Sequence, residues 1–144
     1  MKITFKLDTT DFKQRLKSYS NQVKTNVGNA IADCVMSIEE NAKKNLSANH
    51  SVHTGVLVGS IHSQYDPSSM TGKAFVDAEY APYVEYGTAP HVIKIKDKKV
   101  LSDGKSFFGK EVHHPGNHAK PFFGPACDEA ISQYKRDLKD AMKE

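Results

Sequence analysis

Apolar and polar positions change period several times along the chain. Ile3, Phe5 and Leu7 alternate with Lys2, Thr4 and Lys6, the period of two expected of a half-buried strand. Asp8-Thr9-Thr10 then offers N-cap side chains, with Asp11 in the first turn that follows. From there the period becomes helical. Phe12, Leu16, Tyr19, Val23, Val27, Ala30/Ile31, Cys34/Val35, Ile38, Ala42 and Leu46 share one stripe, and the other face is Lys, Asn, Gln and Asp. An unbroken helix from about Thr10 to about Ser47 would span roughly 57 Å, against an average of about a dozen residues. Ser18–Asn21 or Gly28 could divide it into two. In either case the stripe needs cover, from a sheet or from a neighbouring subunit.

Beyond a polar loop at Ser47–His53, Thr54-Gly55 reads as a turn and Ile61–Tyr65 as a strand. Asp66–Gly72 is turn-rich, and Lys73–Glu79 is a second strand, antiparallel to the first if the turn closes a hairpin. Tyr80–Tyr86 suits one helical turn, with Pro82 near its start and Gly87 at its end. Tyr80, Tyr83 and Val84/Tyr86 then project to nearly one side. His91–Leu101 and Ser106–His113 read as two strands around Ser102-Asp103-Gly104-Lys105, and Asp-Gly between extended runs is a strong hairpin signal. The lysines that alternate with Val92, Ile93 and Ile95 make this hairpin wet on at least one side, so it reads as a projecting arm. Gly124-Pro125 opens a last helix, with Asp128 and Glu129 expected in its first turn. Its stripe is Cys127, Ala130/Ile131, Tyr134, Leu138 and Ala141/Met142. The fold class is α+β: long N-terminal and C-terminal helices on a small antiparallel sheet, with a β-hairpin arm at about 91–113. The 144 residues suit a single domain.

Composition adds bounds. The hydrophobic share is 38% and the charged share 26%, ordinary for a globular chain. No apolar run approaches a membrane span and the first residues do not read as a signal peptide, so a start in the cytosol and no membrane partner are expected. Cys34 and Cys127 each fall on a helical stripe, as reduced core cysteines would. A net charge of +3 does not by itself announce a nucleic-acid binder, but its distribution is uneven. Between His91 and Lys120 stand Lys94, Lys96, Lys98, Lys99, Lys105, Lys110 and Lys120 against Asp97, Asp103 and Glu111. All the excess positive charge lies in that segment.

The chemistry of catalysis is thin. His113, His114 and His118 have no cysteine nearby, and adjacent histidines do not readily face one ion, so no metal or other cofactor is expected. Glu39 and Glu40 are helix neighbours that point apart, and no nucleophile elbow, zinc-protease or phosphate-loop motif occurs. Aromatic rings between prolines and glycines dominate instead, in Tyr80–Thr88 and Ala119–Ala126. They make rigid apolar contact surface. Tyr80, Tyr83, Glu85, Tyr86, Phe107, Phe108, Lys120, Phe122 and Phe123 are therefore the expected protein-interface residues, with Glu85 as a hydrogen-bonded carboxylate. Lys94, Lys96, Lys98, Lys99, Lys105 and Lys110 would let the arm meet DNA or an acidic partner, or merely guard an exposed edge. With Arg15 and Arg136 the only arginines, base-specific reading is not expected.

Three segments taken in order resemble the small head–tail joining or tail-completion proteins of long-tailed bacteriophages. A long helix ending Glu40-Asn41-Ala42-Lys43-Lys44 leads to Thr54-Gly55-Val56-Leu57 … Ser60-Ile61. Tyr80-Ala-Pro-Tyr-Val-Glu-Tyr-Gly-Thr88 follows, then Ala119-Lys-Pro-Phe-Phe-Gly-Pro-Ala126 before a terminal helix. Val58, where a basic residue is common, and Gly124, where a larger one is, depart from that pattern. The resemblance implies an α+β structural virion protein without catalysis, assembled as a ring, six subunits by expectation, at the neck or the top of the tail. Its partners would be copies of itself, tail-terminator or tail-tube proteins and head-connector or stopper proteins, with non-specific contact to DNA in the lumen. It would assemble in the host cytoplasm. The rival reading is a nucleic-acid-binding module built on the lysine-rich hairpin.

Overall fold

A computed structural model of the chain describes residues 3–10, 21–49, 55–94, 101–102 and 105–142. The elements run β1 (Ile3–Lys6), α1 (Asn21–Ala48), α2 (Val56–Gly59), β2 (Ile61–Asp66), β3 (Thr71–Val76), α3 (Ala81–Glu85), β4 (His91–Lys94), β5 (Leu101–Ser102), β6 (Phe107–Gly109), β7 (Glu111–His114) and α4 (Phe123–Ala141). The class is α+β, as the periodicities predict.

α1 is the spine. Val23, Val27, Ala30, Ile31, Cys34, Val35, Ile38, Ala42 and Leu46 are buried at the predicted helical spacing. Two layers cover that stripe, α4 on one side and the β2–β3 hairpin on the other. The stripe is therefore covered within the chain, by a sheet and a second helix. Gly28 does not divide the helix. It is buried, and a Cβ added there would meet the Tyr65 hydroxyl at 2.5 Å, so the missing side chain makes room for a ring from β2. The other proposed breakpoint lies largely among residues 11–20, outside the described residues, as does the expected start of the helix.

The sheet has the order β1-β3-β2, antiparallel throughout. Ile3 and Ile61 flank Val76 from either side, so one face of the sheet delivers Ile61, Ala74 and Val76, all fully buried, to the core. β3 begins two residues earlier and ends three earlier than the alternation suggests, because the tight Asp66–Met70 turn returns the chain directly into pairing with Asp66 opposite Thr71. The Asp66 carboxylate accepts the Ser68 N–H at 2.9 Å and the Ser68 and Ser69 hydroxyls at 2.7 Å. α2, read in the sequence only as the residues after a turn, is a single helical turn that buries Leu57.

α4 begins at Phe123, ahead of Gly124-Pro125, and buries Phe123, Ala126, Ala130 and Tyr134. Asp128 and Glu129 consequently fall beyond the first turn, which holds no acidic residue of its own. The arm is antiparallel: β4 pairs with β7 from His91↔His114 to Lys94↔Glu111, and β5 pairs with β6 through an irregular register. The expected turn at Asp103-Gly104 and the residues Lys96, Lys98 and Lys99 lie outside the described residues. Among the described residues no helix is long and apolar enough to cross a membrane.

Candidate functional site

The two aromatic segments meet around one carboxylate. α3 buries Ala81, Pro82 and Glu85 on its inner side. Glu85 Oε2 accepts the N–H groups of Phe122 at 2.8 Å and Phe123 at 2.9 Å, and Oε1 accepts that of Gly124 at 2.9 Å. These are the first N–H groups of α4, which have no carbonyl partner in their own helix and carry the positive end of its dipole. A buried anion is costly unless hydrogen bonded, and here three donors meet it. The same loop is held from α1, where Asn45 Nδ2 donates to the Phe122 carbonyl at 3.0 Å and Asn49 Nδ2 to the Pro121 carbonyl at 2.9 Å. The Lys120 N–H donates to the Val84 carbonyl at 2.9 Å.

Three residues beyond α3 the root of the arm is clasped. Thr88 and Asn117 exchange backbone hydrogen bonds of 2.9 and 3.1 Å, and the Asn117 N–H also reaches Thr88 Oγ1 at 3.0 Å. Gly87 and Gly116, both at positive φ, allow this approach. A Cβ on Gly87 would lie 2.5 Å from the Asn117 carbonyl oxygen, and one on Gly116 would lie 2.2 Å from that of Thr88. Above the clasp the rings of His91 and His114 stack with centroids 5.0 Å apart. His114 Nδ1 accepts the Gly116 N–H at 3.0 Å, and His91 Nδ1 lies 3.0 Å from the Ala89 carbonyl oxygen.

Against this rigid backing the outer side of α3 presents Tyr80, Tyr83 and Tyr86, exposed at 42%, 61% and 70%. Residues 80, 83 and 86 are three apart, so they line one ridge of the helical turn. Val84, expected beside them, is half-buried. Lys120, Lys94, Lys105 and Lys110 are exposed nearby in the chain, and Phe107 on β6 is 82% exposed. Glu85, Phe122 and Phe123, expected at an interface, are instead internal: they are 4%, 0% and 3% exposed, and hold α3 to α4. The side chain of Phe108 lies outside what the structure describes. Exposed Met36, Val56 and Val92 were not singled out from the sequence. Met36 was legible there, since helical spacing puts it opposite the apolar stripe of α1.

Burial pushes the Cys34 thiol up to about 11, with the Asp137 carboxylate adding to it, and pushes Cys127 up to about 12, with Asp128 and Glu85 adding to it. Both therefore stay protonated at neutral pH and are poor nucleophiles. Among the described residues no three His, Cys, Asp or Glu side chains gather as metal ligands would.

Residues 10–87, just over half of the chain, match the family model HK97-gp10-like, described as a tail component of the bacteriophage HK97 gp10 type. No curated protein and no solved structure matches the chain.

Proposed function

This chain belongs to the HK97-gp10-like family of bacteriophage tail components, and we propose that it is a tail-completion or head–tail joining protein acting as a ring at the neck. The observation that carries the reading is the α3 ridge, three exposed tyrosines on a helical turn braced from behind by Glu85 and the start of α4. Tyrosine supplies large contact area with few rotatable bonds, so a ridge held this firmly loses little entropy on docking. The clasped arm beside it supplies a second contact. A ring, six subunits by expectation, repeats both around its circumference, and repetition makes individually weak contacts sufficient.

In this reading the ring lies between tail-terminator or tail-tube proteins and head-connector or stopper proteins, and assembles in the host cytoplasm before entering the virion. The lysines of the arm line a rim or lumen where passing DNA meets positive charge without being read. No step of this role requires catalysis or a cofactor.

Electron microscopy of a lysate in which the gene carries a stop codon tests it. Filled heads and finished tails lying apart are expected. Tails of irregular length would move the role to tail termination, and intact infectious particles would overturn the virion reading. The lysine excess with an 82%-exposed phenylalanine also fits a non-specific nucleic-acid module. Strongly salt-dependent retention of the isolated protein on DNA would favour that second reading.

A further inference from the structure

The outward ridge of α1 carries a pattern that the arm mirrors in charge. Between Lys24 and Lys43 the only charged residues of α1 are acidic: Asp33, Glu39 and Glu40. Glu39 is engaged with Lys43 and the Ser63 hydroxyl from β2. Asp33 and Glu40 are exposed on the far side of the helix from its buried stripe. They are seven residues apart, about 10 Å along the axis and close to the same angle around it. Between them Met36 leaves 55% of its surface bare. The ridge is thus an apolar side chain bracketed by carboxylates.

On the arm, Phe107 is 82% exposed, the barest large apolar side chain among the described residues, and in sequence it stands between Lys105 and Lys110. This is an apolar side chain bracketed by cations. Both features are exposed within one chain, so they do not cover each other there.

We propose that the arm of one copy docks on the α1 ridge of the next, with Phe107 on Met36 and the flanking lysines reaching Asp33 and Glu40. A methionine sulfur against an aromatic ring is a favourable and adaptable contact, and opposed charges around it set register and reject wrong docking. The contact joins two different patches, so it is heterologous, and repeated around an axis it closes a ring. The inference rests on the ring reading above and deepens it by naming which face of each subunit receives its neighbour's arm. The tyrosine ridge of α3 is then left for a different partner.

The test uses two pairs of variants of the full chain, in solution and seated on purified tails. Met36→Cys and Phe107→Cys, made separately and mixed under oxidation, should give a disulfide-linked dimer joining positions 36 and 107, which neither variant gives alone. Asp33→Lys/Glu40→Lys and Lys105→Glu/Lys110→Glu should each weaken self-association at least tenfold. Their equimolar mixture, in which every arm meets a ridge of opposite charge, should restore it. All six positions are exposed, so wild-type melting is expected throughout. Rings that form without the crosslink and tolerate both charge reversals would overturn the docking and leave the ring reading standing. A chain that stays monomeric both alone and on tails would overturn both. Charge-reversed arms that lose DNA retention but keep self-association would overturn it as well, by assigning the lysines to DNA.

Discussion

Phe122 and Tyr83 belong to the same kind of proline- and glycine-punctuated segment, yet the fold gives them opposite work. Phe122 is completely buried, whereas Tyr83 is 61% exposed. Truncating Phe122 to alanine should cost about 3–5 kcal/mol of folding stability. Truncating Tyr83 should change folding by no more than about 0.5 kcal/mol, while weakening attachment to tails by about 2 kcal/mol or more if it is a hot spot. Denaturant midpoints and a tail-binding assay on both variants separate the roles, and a Tyr83→Ala protein that binds tails normally removes the ridge from the mechanism. Glu85 is the second test. Glu85→Gln keeps an acceptor but loses the charge-assisted bonds, at about 1–2 kcal/mol. Glu85→Ala orphans three N–H groups at the start of α4 and should cost about 3 kcal/mol or more. Equal midpoints for the two variants would mean that the carboxylate does not act as the cap. At Asp66 the hydrogen bonds from Ser68 and Ser69 hold the carboxyl down at about 2, below the usual value of about 4. Its contribution is present above the usual value and is lost as pH falls through the depressed one. Asp66→Asn should therefore melt below wild type at pH 7, and the gap should close between about pH 4 and pH 2. A gap that is constant with pH would show that the turn does not depend on the ionised form.

At the scale of elements, the arm and its root separate cleanly. The Thr88–Asn117 clasp lies outside Lys94–Lys110 and joins the ends of the hairpin before β4 and after β7. Replacing Lys94–Lys110 with a short glycine linker should therefore leave the melting transition of the core close to wild type, because α1, α4 and the three-stranded sheet bury their side chains elsewhere. Assembly with partners should be lost. Normal particles from such a gene would eliminate the arm as a joining device. α1 gives the complementary case. Its length is sustained not by propensity, since Gly28, Thr25 and several Asn residues weaken it, but by continuous cover from α4 and the β2–β3 hairpin.

Across the whole molecule the net charge is unevenly distributed. Positive charge is concentrated between His91 and Lys120, and the middle of α1 bears only acids. Such a chain can meet a copy of itself head to tail without meeting it face to face, since like patches repel. Self-association through these patches should weaken as salt rises from 50 mM to 500 mM, because the Debye length shrinks from roughly 14 Å to about 4 Å. Sedimentation across that range reads the effect, and association indifferent to salt would point to the apolar tyrosine ridge as the self-contact instead.

The sequence by itself determined the class of the fold, the stripe of α1, the β2–β3 hairpin, the proline-opened turn of α3 and the antiparallel arm. Each rests on a period or a turn residue that acts within a few positions. The four-residue α2 escaped that reading because so short a turn has no period to detect. Only the tertiary structure decided which aromatics face inward and what caps α4. The negative charge at that helix start was expected from Asp128 and Glu129, close by in sequence, and is supplied by Glu85, 37 to 39 residues away from the N–H groups it holds. A long-range hydrogen bond leaves no local period behind it. Glu85 between two tyrosines looks like part of their surface until folding turns the tyrosines to solvent and the carboxylate toward the start of α4, whose first turn holds no acidic residue of its own.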